Sequence, residues 1–200
     1  SALILLEVSG VNDLTNDSSI TVTGFVGAVP GGGAPTLAGG TLAAGQTFDI
    51  SPASYEGTTP RIRFSGKIVN GRIDVDPATF FLTIPVGGAN LELAVRETRM
   101  RATISATGLS VGILGGSLRT EDILAAFNDL KDENECRRME PQPATCPGEP
   151  IEFIDSIDES TLSILSSFAD LEPDAGGTCT ALSVGVAFSG VSAAIGEDGL

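Results

Sequence analysis

The run Arg61-Ile62-Arg63-Phe64-Ser65-Gly66-Lys67-Ile68-Val69-Asn70-Gly71-Arg72-Ile73-Asp74-Val75-Asp76 decides how this chain is read. Asn70-Gly71 stands between two alternating segments. Both residue types tolerate the positive φ of a type I′ turn, so the run predicts a β-hairpin with a two-residue loop. Such a loop pairs Val69 with Arg72 and Ile68 with Ile73. Ile62, Phe64, Ile68, Ile73 and Val75 then face inward. Arg61, Arg63, Lys67, Arg72, Asp74 and Asp76 face outward.

Strand patterns continue on both sides of the hairpin. Residues 2–8 form an apolar strand, followed by a turn-rich run from Gly10 to Asp17. Residues 20–26 alternate with threonines, as β structure prefers. Residues 41–50 and 80–86 read as further strands. In 91–105, Leu91, Leu93 and Val95 share one face, and Ala94, Met100, Ala102 and Ile104 the other. Residues 109–118 are a strand interrupted by glycine, with Gly112 and Gly115-Gly116 marking a bend or bulge. Residues 179–191 return to strand, with alternation at Leu182, Val184, Val186 and Phe188.

Helix signals fall in one block. Thr120 can cap a helix whose first turn holds Glu121 and Asp122, where the macrodipole favours acids. Ile123, Leu124, Phe127 and Leu130 form its apolar stripe. A second helix is expected from about Glu159 to Leu171, burying Leu162, Leu165, Phe168 and Ala169. A polar loop with four prolines lies between them. Helices gathered in one block indicate an α+β arrangement rather than alternating α/β. The expected fold is mainly β: an antiparallel sandwich or strongly curved sheet, with two acidic helices packed on one face or end.

Two hundred residues make about one domain. Residues 1–120 carry nine acids and eight bases, and residues 121–174 carry fifteen acids and three bases. The expected organisation is a single domain over 1–200: a β-rich part (1–120), an acidic helical block with a proline-rich loop (121–174), and a returning strand (175–200). No apolar run approaches the roughly 20 residues of a membrane-spanning helix. The net charge of −15 repels a phosphate backbone, which argues against nucleic acid as a partner. Ser1 is not a natural start, which leaves room for a signal peptide or lipid anchor upstream.

The chain has no His, no Trp and one Tyr. Gly108-Leu109-Ser110-Val111-Gly112 matches the G-x-S-x-G nucleophile elbow, yet a serine needs a general base and a strand–turn–helix setting, and neither is present. Gly31-Gly32-Gly33 and Gly115-Gly116 lack the Lys and Ser/Thr of a phosphate loop and read as turns or bulges. Asp74/Asp76 and Asp155/Asp158/Glu159 are carboxylate groupings that read as solvated faces or caps. Asp13, Asn16 and Asp17 could join backbone carbonyls around calcium, and Asx turns explain the same residues. Arg96, Arg99 and Arg101, beside Glu92 and Glu97, could hold an anion or pair with the acidic block; pairing is the plainer account. No catalytic, cofactor or metal residue is assigned, and the chain is not read as an enzyme.

The three cysteines are Cys136, Cys146 and Cys179. Cys136 and Cys146 flank the proline-rich loop. A disulfide between them would close a short ring, contributing roughly 2–3 kcal/mol on the chain-entropy account. It implies an oxidising compartment. Cys179 is then either buried as a small hydrophobe or paired with one of the other two.

Three stretches carry a resemblance. They are Arg101-Ala102-Thr103-Ile104-Ser105 leading through Gly112-Ile113-Leu114-Gly115-Gly116 into a helix, the run from Asp170-Leu171-Glu172-Pro173-Asp174 through Gly177-Thr178-Cys179 to Ser183-Val184-Gly185-Val186-Ala187-Phe188, and Ile68-Val69-Asn70-Gly71. Together they resemble uncharacterised exported, lipoprotein-like β-rich domains of bacteria. The resemblance implies an extracytoplasmic location (secreted, periplasmic or cell surface) and adds no catalytic residue.

Three functional classes follow. The first is a non-catalytic structural or assembly protein of the cell surface, forming a homo-oligomer or filament. Its assembly strand would be the first segment, where Leu3 and Leu5 line one face and Ile4, Leu6 and Val8 the other. A strand apolar on both faces must lie centrally in its own sheet or complete a neighbour's. The second is a module for an apolar, lipid-like ligand, held near Phe80, Phe81 and Ile84. The third, a hydrolase using acids or Ser110, has the least support.

Overall fold

Short alternating segments give eleven strands that join in one large mixed sheet, in a computed structural model that describes residues 3–86, 88–157 and 159–196. They are β1 (Ile4–Ser9), β2 (Asn16–Ala28), β3 (Thr47–Ile50), β4 (Ile62–Val69), β5 (Arg72–Val75), β6 (Ala78–Val86), β7 (Ala89–Ser105), β8 (Gly108–Arg119), β9 (Leu171–Pro173), β10 (Cys179–Val191) and β11 (Ala194–Ile195). Helix α1 spans Thr120–Arg137, and the shorter α2 spans Glu159–Ser167. Strand accounts for 53% of the chain and helix for 17%, so the fold is mainly β.

The strand order is β9-β10-β8-β7-β5-β4-β2-β3-β11, with β1 pairing β2 and β6 pairing β7. β11 runs parallel to β3 and makes the sheet mixed. β10 continues through Ser192 and Ala193 into β11. Ser192 bonds both ways: its N–H donates to Thr107 O, and its C=O accepts from Gly45 N–H. Among the described residues there is no second sheet of comparable size, as a sandwich would need.

The chain forms two compact units. One comprises residues 81–96 and 116–184; the other comprises 3–80, 97–115 and 185–196. The hairpin β4–β5 is the centre of the second. Ile68 pairs Ile73 and Val69 pairs Arg72 across Asn70 (φ 51°) and Gly71 (φ 73°). Ile62, Phe64, Ile68, Ile73 and Val75 are all buried, with Val22, Phe25, Phe48 and Met100 beside them in the core of this unit. At Gly112 a Cβ would lie 2.6 Å from the Phe188 ring, so only glycine lets β10 lie this close to β8.

In the other unit the core is Leu91, Leu93, Val95, Leu118, Ile123, Leu130, Ile151, Ile154 and Ala181. Several expectations need correction. Thr120 does not cap α1; it is the first helical residue, Arg119 is the cap, and the Thr120 hydroxyl donates to Thr180 O instead. The second helix ends at Ser167, carries one acid, and leaves Phe168 66% exposed; the side chains of Leu162 and Leu165 lie outside the described set. Only Thr47–Ile50 of residues 41–50 enters the large sheet, since the chain turns at Gly45 (φ 76°). In β7 the two expected faces are successive parts of one buried series. Leu91, Leu93 and Val95 give way to Thr98, Met100 and Ala102, because Glu97 takes a left-handed φ of 48° and shifts the alternation by one residue.

Candidate functional site

Strand β1 pairs with β2 from Ile4↔Val26 to Ser9↔Thr21. The first segment thus belongs to its own sheet, but at an edge. In an antiparallel pair, alternate residues turn their N–H and C=O toward the partner. Gly27 N–H donates to Leu3 O, so Ile4, Leu6 and Val8 turn their backbone groups to the open side. Gly27 leaves room above it for Leu3 and Leu5; a Cβ there would lie 2.9 Å from the Leu3 side chain. Ile4 is 42% exposed, and Leu3, Leu5, Leu6 and Val8 are half-buried. An edge with this much apolar surface, and one charge in six residues, lacks the usual protection against pairing with another chain.

The first unit holds a polar centre. The Glu172 carboxylate accepts from Ser117 Oγ at 2.7 Å and from Arg119 Nε at 2.8 Å. The Ser117 hydroxyl first, and the Arg119 guanidinium second, hold its pKa below the ordinary 4.5. Glu172 also has a left-handed φ of 53°, and its C=O accepts from Thr180 Oγ1 at 2.7 Å. Nearby, Arg96 grips Asp122 with two bonds of 2.8 and 3.2 Å, the bidentate geometry guanidinium favours. An open depression of about 420 Å³ is lined by Arg119, Glu121, Glu172, Asp174 and Thr180. A second, of about 280 Å³, includes Glu92, Asp122, Asp129 and Glu133. Both linings mix carboxylates with apolar groups, Pro173 in the first and Ala94, Ala125, Ala126 and Leu130 in the second.

A third arrangement anchors the loop after α1. Cys136 and Cys146 are disulfide-bonded with Cα atoms 6.0 Å apart, and Cys179 is free and half-buried. Asn134 is buried; its Oδ1 accepts from Ile151 N–H at 2.5 Å and its Nδ2 donates to Ile151 O at 3.2 Å. The Arg137 side chain is 2% exposed and donates to Glu149 O, Gly88 O and Glu133 Oε1.

Other residues singled out from the sequence are not brought together. Ser110 is exposed within the continuous strand β8, not on a strand-to-helix turn. Asp17 accepts backbone N–H bonds from Asn12, Asp13 and Ser19, and Asp13 accepts from Thr15, the Asx-turn pattern. The described residues contain no group of three or more His, Cys, Asp or Glu placed to hold a metal. Arg96 pairs with the acidic helix, but Arg101 pairs with Asp74 in the hairpin, and Asp155 pairs with Arg138. Asp158 lies outside the described residues. Phe80 is buried, Phe81 half-buried and Ile84 37% exposed.

Asn134, Arg137 and Glu172 were not visible as candidates in the sequence. Spacing offered a signal for the first two: Ile123, Phe127, Leu130, Asn134 and Arg137 follow the alternate steps of four and three that mark one helix face. No family model, curated protein or solved structure matches the chain.

Proposed function

We infer that this protein is a non-catalytic assembly subunit of an extracytoplasmic surface, joined to its neighbours by strand addition at β1. The observation that carries this reading is the position of β1. It is apolar on both faces, yet pairs on one side only among the described residues. A strand added to its open side would supply partners for the outward N–H and C=O groups of Ile4, Leu6 and Val8, and would cover apolar surface at roughly 25 cal/mol per Å². The disulfide supports an oxidising location outside the cytoplasm. Each depression is open and lined by at least three carboxylate residues, which does not favour the apolar-ligand alternative.

The test is Ile4→Lys, which places a charge on an exposed edge position and leaves the core untouched. Light scattering of the intact chain should show concentration-dependent association, and the variant should associate more weakly with an unchanged circular dichroism spectrum. An intact chain that stays monomeric at high concentration would refute the reading.

A further inference from the structure

The hairpin carries a second unusual surface. Residues directly opposite in neighbouring strands share a face, and Lys67, Asp74 and Arg101 stand in one row across β4, β5 and β7. Val69, Arg72 and Thr103 form the next row. By the same alternation Arg63 and Arg99 belong to this outer face. In a chain with fifteen more acids than bases, this face gathers five cations against Asp74 and Asp76. Arg63, Lys67, Arg72 and Arg99 are exposed and have no ion-pair partner among the described residues. Arg101 pairs with Asp74 but remains 60% exposed.

The complementary surface is on α1. Its buried stripe leaves Glu121, Ala125, Asn128, Asp129, Asp132 and Glu135 exposed. Asp129, Asp132 and Glu135 have no ion-pair partner among the described residues. They follow one another at three-residue steps, where like charges repel and weaken a helix. Three residues rise about 4.5 Å, so these acids span about 9 Å along the helix. Lys67 and Arg101, two strands apart, are separated by about 10 Å. The two sets are opposite in sign and similar in spacing, and four of the five cations and all three acids have no ion-pair partner among the described residues.

We propose that the basic outer face of β4, β5 and β7 docks the exposed acidic stripe of α1 from a second copy of this chain. The contact joins unlike surfaces, since each copy offers one of each sign. This proposal rests on the assembly reading and adds to it the surfaces that orient neighbouring subunits.

The experiment is sedimentation of the full chain in about 0.01 M and about 1 M salt, where the screening length falls from about 30 Å to about 3 Å. Association should weaken by about tenfold or more at high salt. Lys67→Glu with Arg72→Glu, and separately Asp129→Lys with Asp132→Lys, should each remove the salt-sensitive part. Mixing the two variants should restore it, since the intact stripe of one meets the intact face of the other and the two reversed surfaces are complementary as well. That recovery also shows that both variants are folded. Association that ignores or increases with salt, yet is abolished by Ile4→Lys, would overturn the charged contact and leave strand addition standing. A chain monomeric at both salts overturns both. A monomeric chain retained on dextran sulfate, with retention lost in the Lys67→Glu, Arg72→Glu variant, would assign the face to a polyanion and overturn the docking of a second copy.

Discussion

The β4–β5 hairpin and the loop from Arg138 to Ser156 are held by opposite means. The hairpin is closed by apolar burial: Ile62, Phe64, Ile68, Ile73 and Val75 are each at most 5% exposed. Its turn needs two positive φ angles, which Asn70 and Gly71 meet. Among its described side chains, the loop's buried apolar residues are Ile151 and Ile154. It is fixed by a covalent bond, by Asn134 acting as a one-residue strand partner for Ile151, and by a guanidinium that gathers oxygens from Gly88, Glu133 and Glu149. Burial spreads stability over many small contacts. Polar anchoring concentrates it in a few side chains, each of which leaves costly unpaired groups when removed.

The largest expected effect is at the hairpin. Phe64 is 1% exposed, and truncating a buried phenylalanine typically costs about 3–5 kcal/mol. Phe64→Ala should therefore lower the urea midpoint strongly and raise hydrogen exchange throughout β2, β4 and β5. A loss confined to residues next to position 64 would mean that the hairpin is not the centre of its unit.

Asn134→Ala should come next, at about 2 kcal/mol, from the buried N–H and C=O of Ile151 left without partners. The comparison makes a sharper claim about where the loss appears. Amides of 148–156 should lose protection while those of 62–75 keep theirs, read by hydrogen exchange and mass spectrometry. Equal loss in both segments would show that loop and hairpin open together, and the contrast between them would fail.

The same contrast explains what could be read from the sequence. Apolar alternation is local: each inward residue of the hairpin announces itself, and the turn residues state their backbone angles. The Cys136–Cys146 pair was readable for a similar reason, since a short polar ring needs a staple. Polar anchors have no such signature. Asn134 and Arg137 read as the solvated end of a helix, because their partners are backbone atoms 17 and 12 residues away. Glu97 gives no composition cue to its left-handed angle, so β7 appeared to have two apolar faces. The β1 edge was half legible: its apolar character is in the sequence, but its place beside β2 depends on distant pairing.

The smallest expected effect concerns Glu172, a polar anchor whose strength depends on pH. Its carboxylate is held ionised by the Ser117 hydroxyl and then by the Arg119 guanidinium, so its pKa in the folded chain lies below the ordinary 4.5. A group whose pKa falls on folding binds fewer protons in the folded state than in the unfolded one. Its contribution is present above the ordinary glutamate value and is lost as pH falls through the depressed one. Glu172 is part-exposed, with 31% of its side chain open to water, so screening keeps the contribution modest. Glu172→Gln should therefore melt at a lower temperature than the parent at pH 7. As pH falls below the ordinary glutamate value, the two melting curves should draw together. The hairpin core carries no titrating side chain, so the ratio of parent to Phe64→Ala stability should show no matching pH dependence. If the Glu172→Gln deficit stayed constant as pH fell to the acid limit of folding, the carboxylate would act through shape alone and not through its charge. Glu172 would then belong with the packed residues of the hairpin and not with the polar anchors.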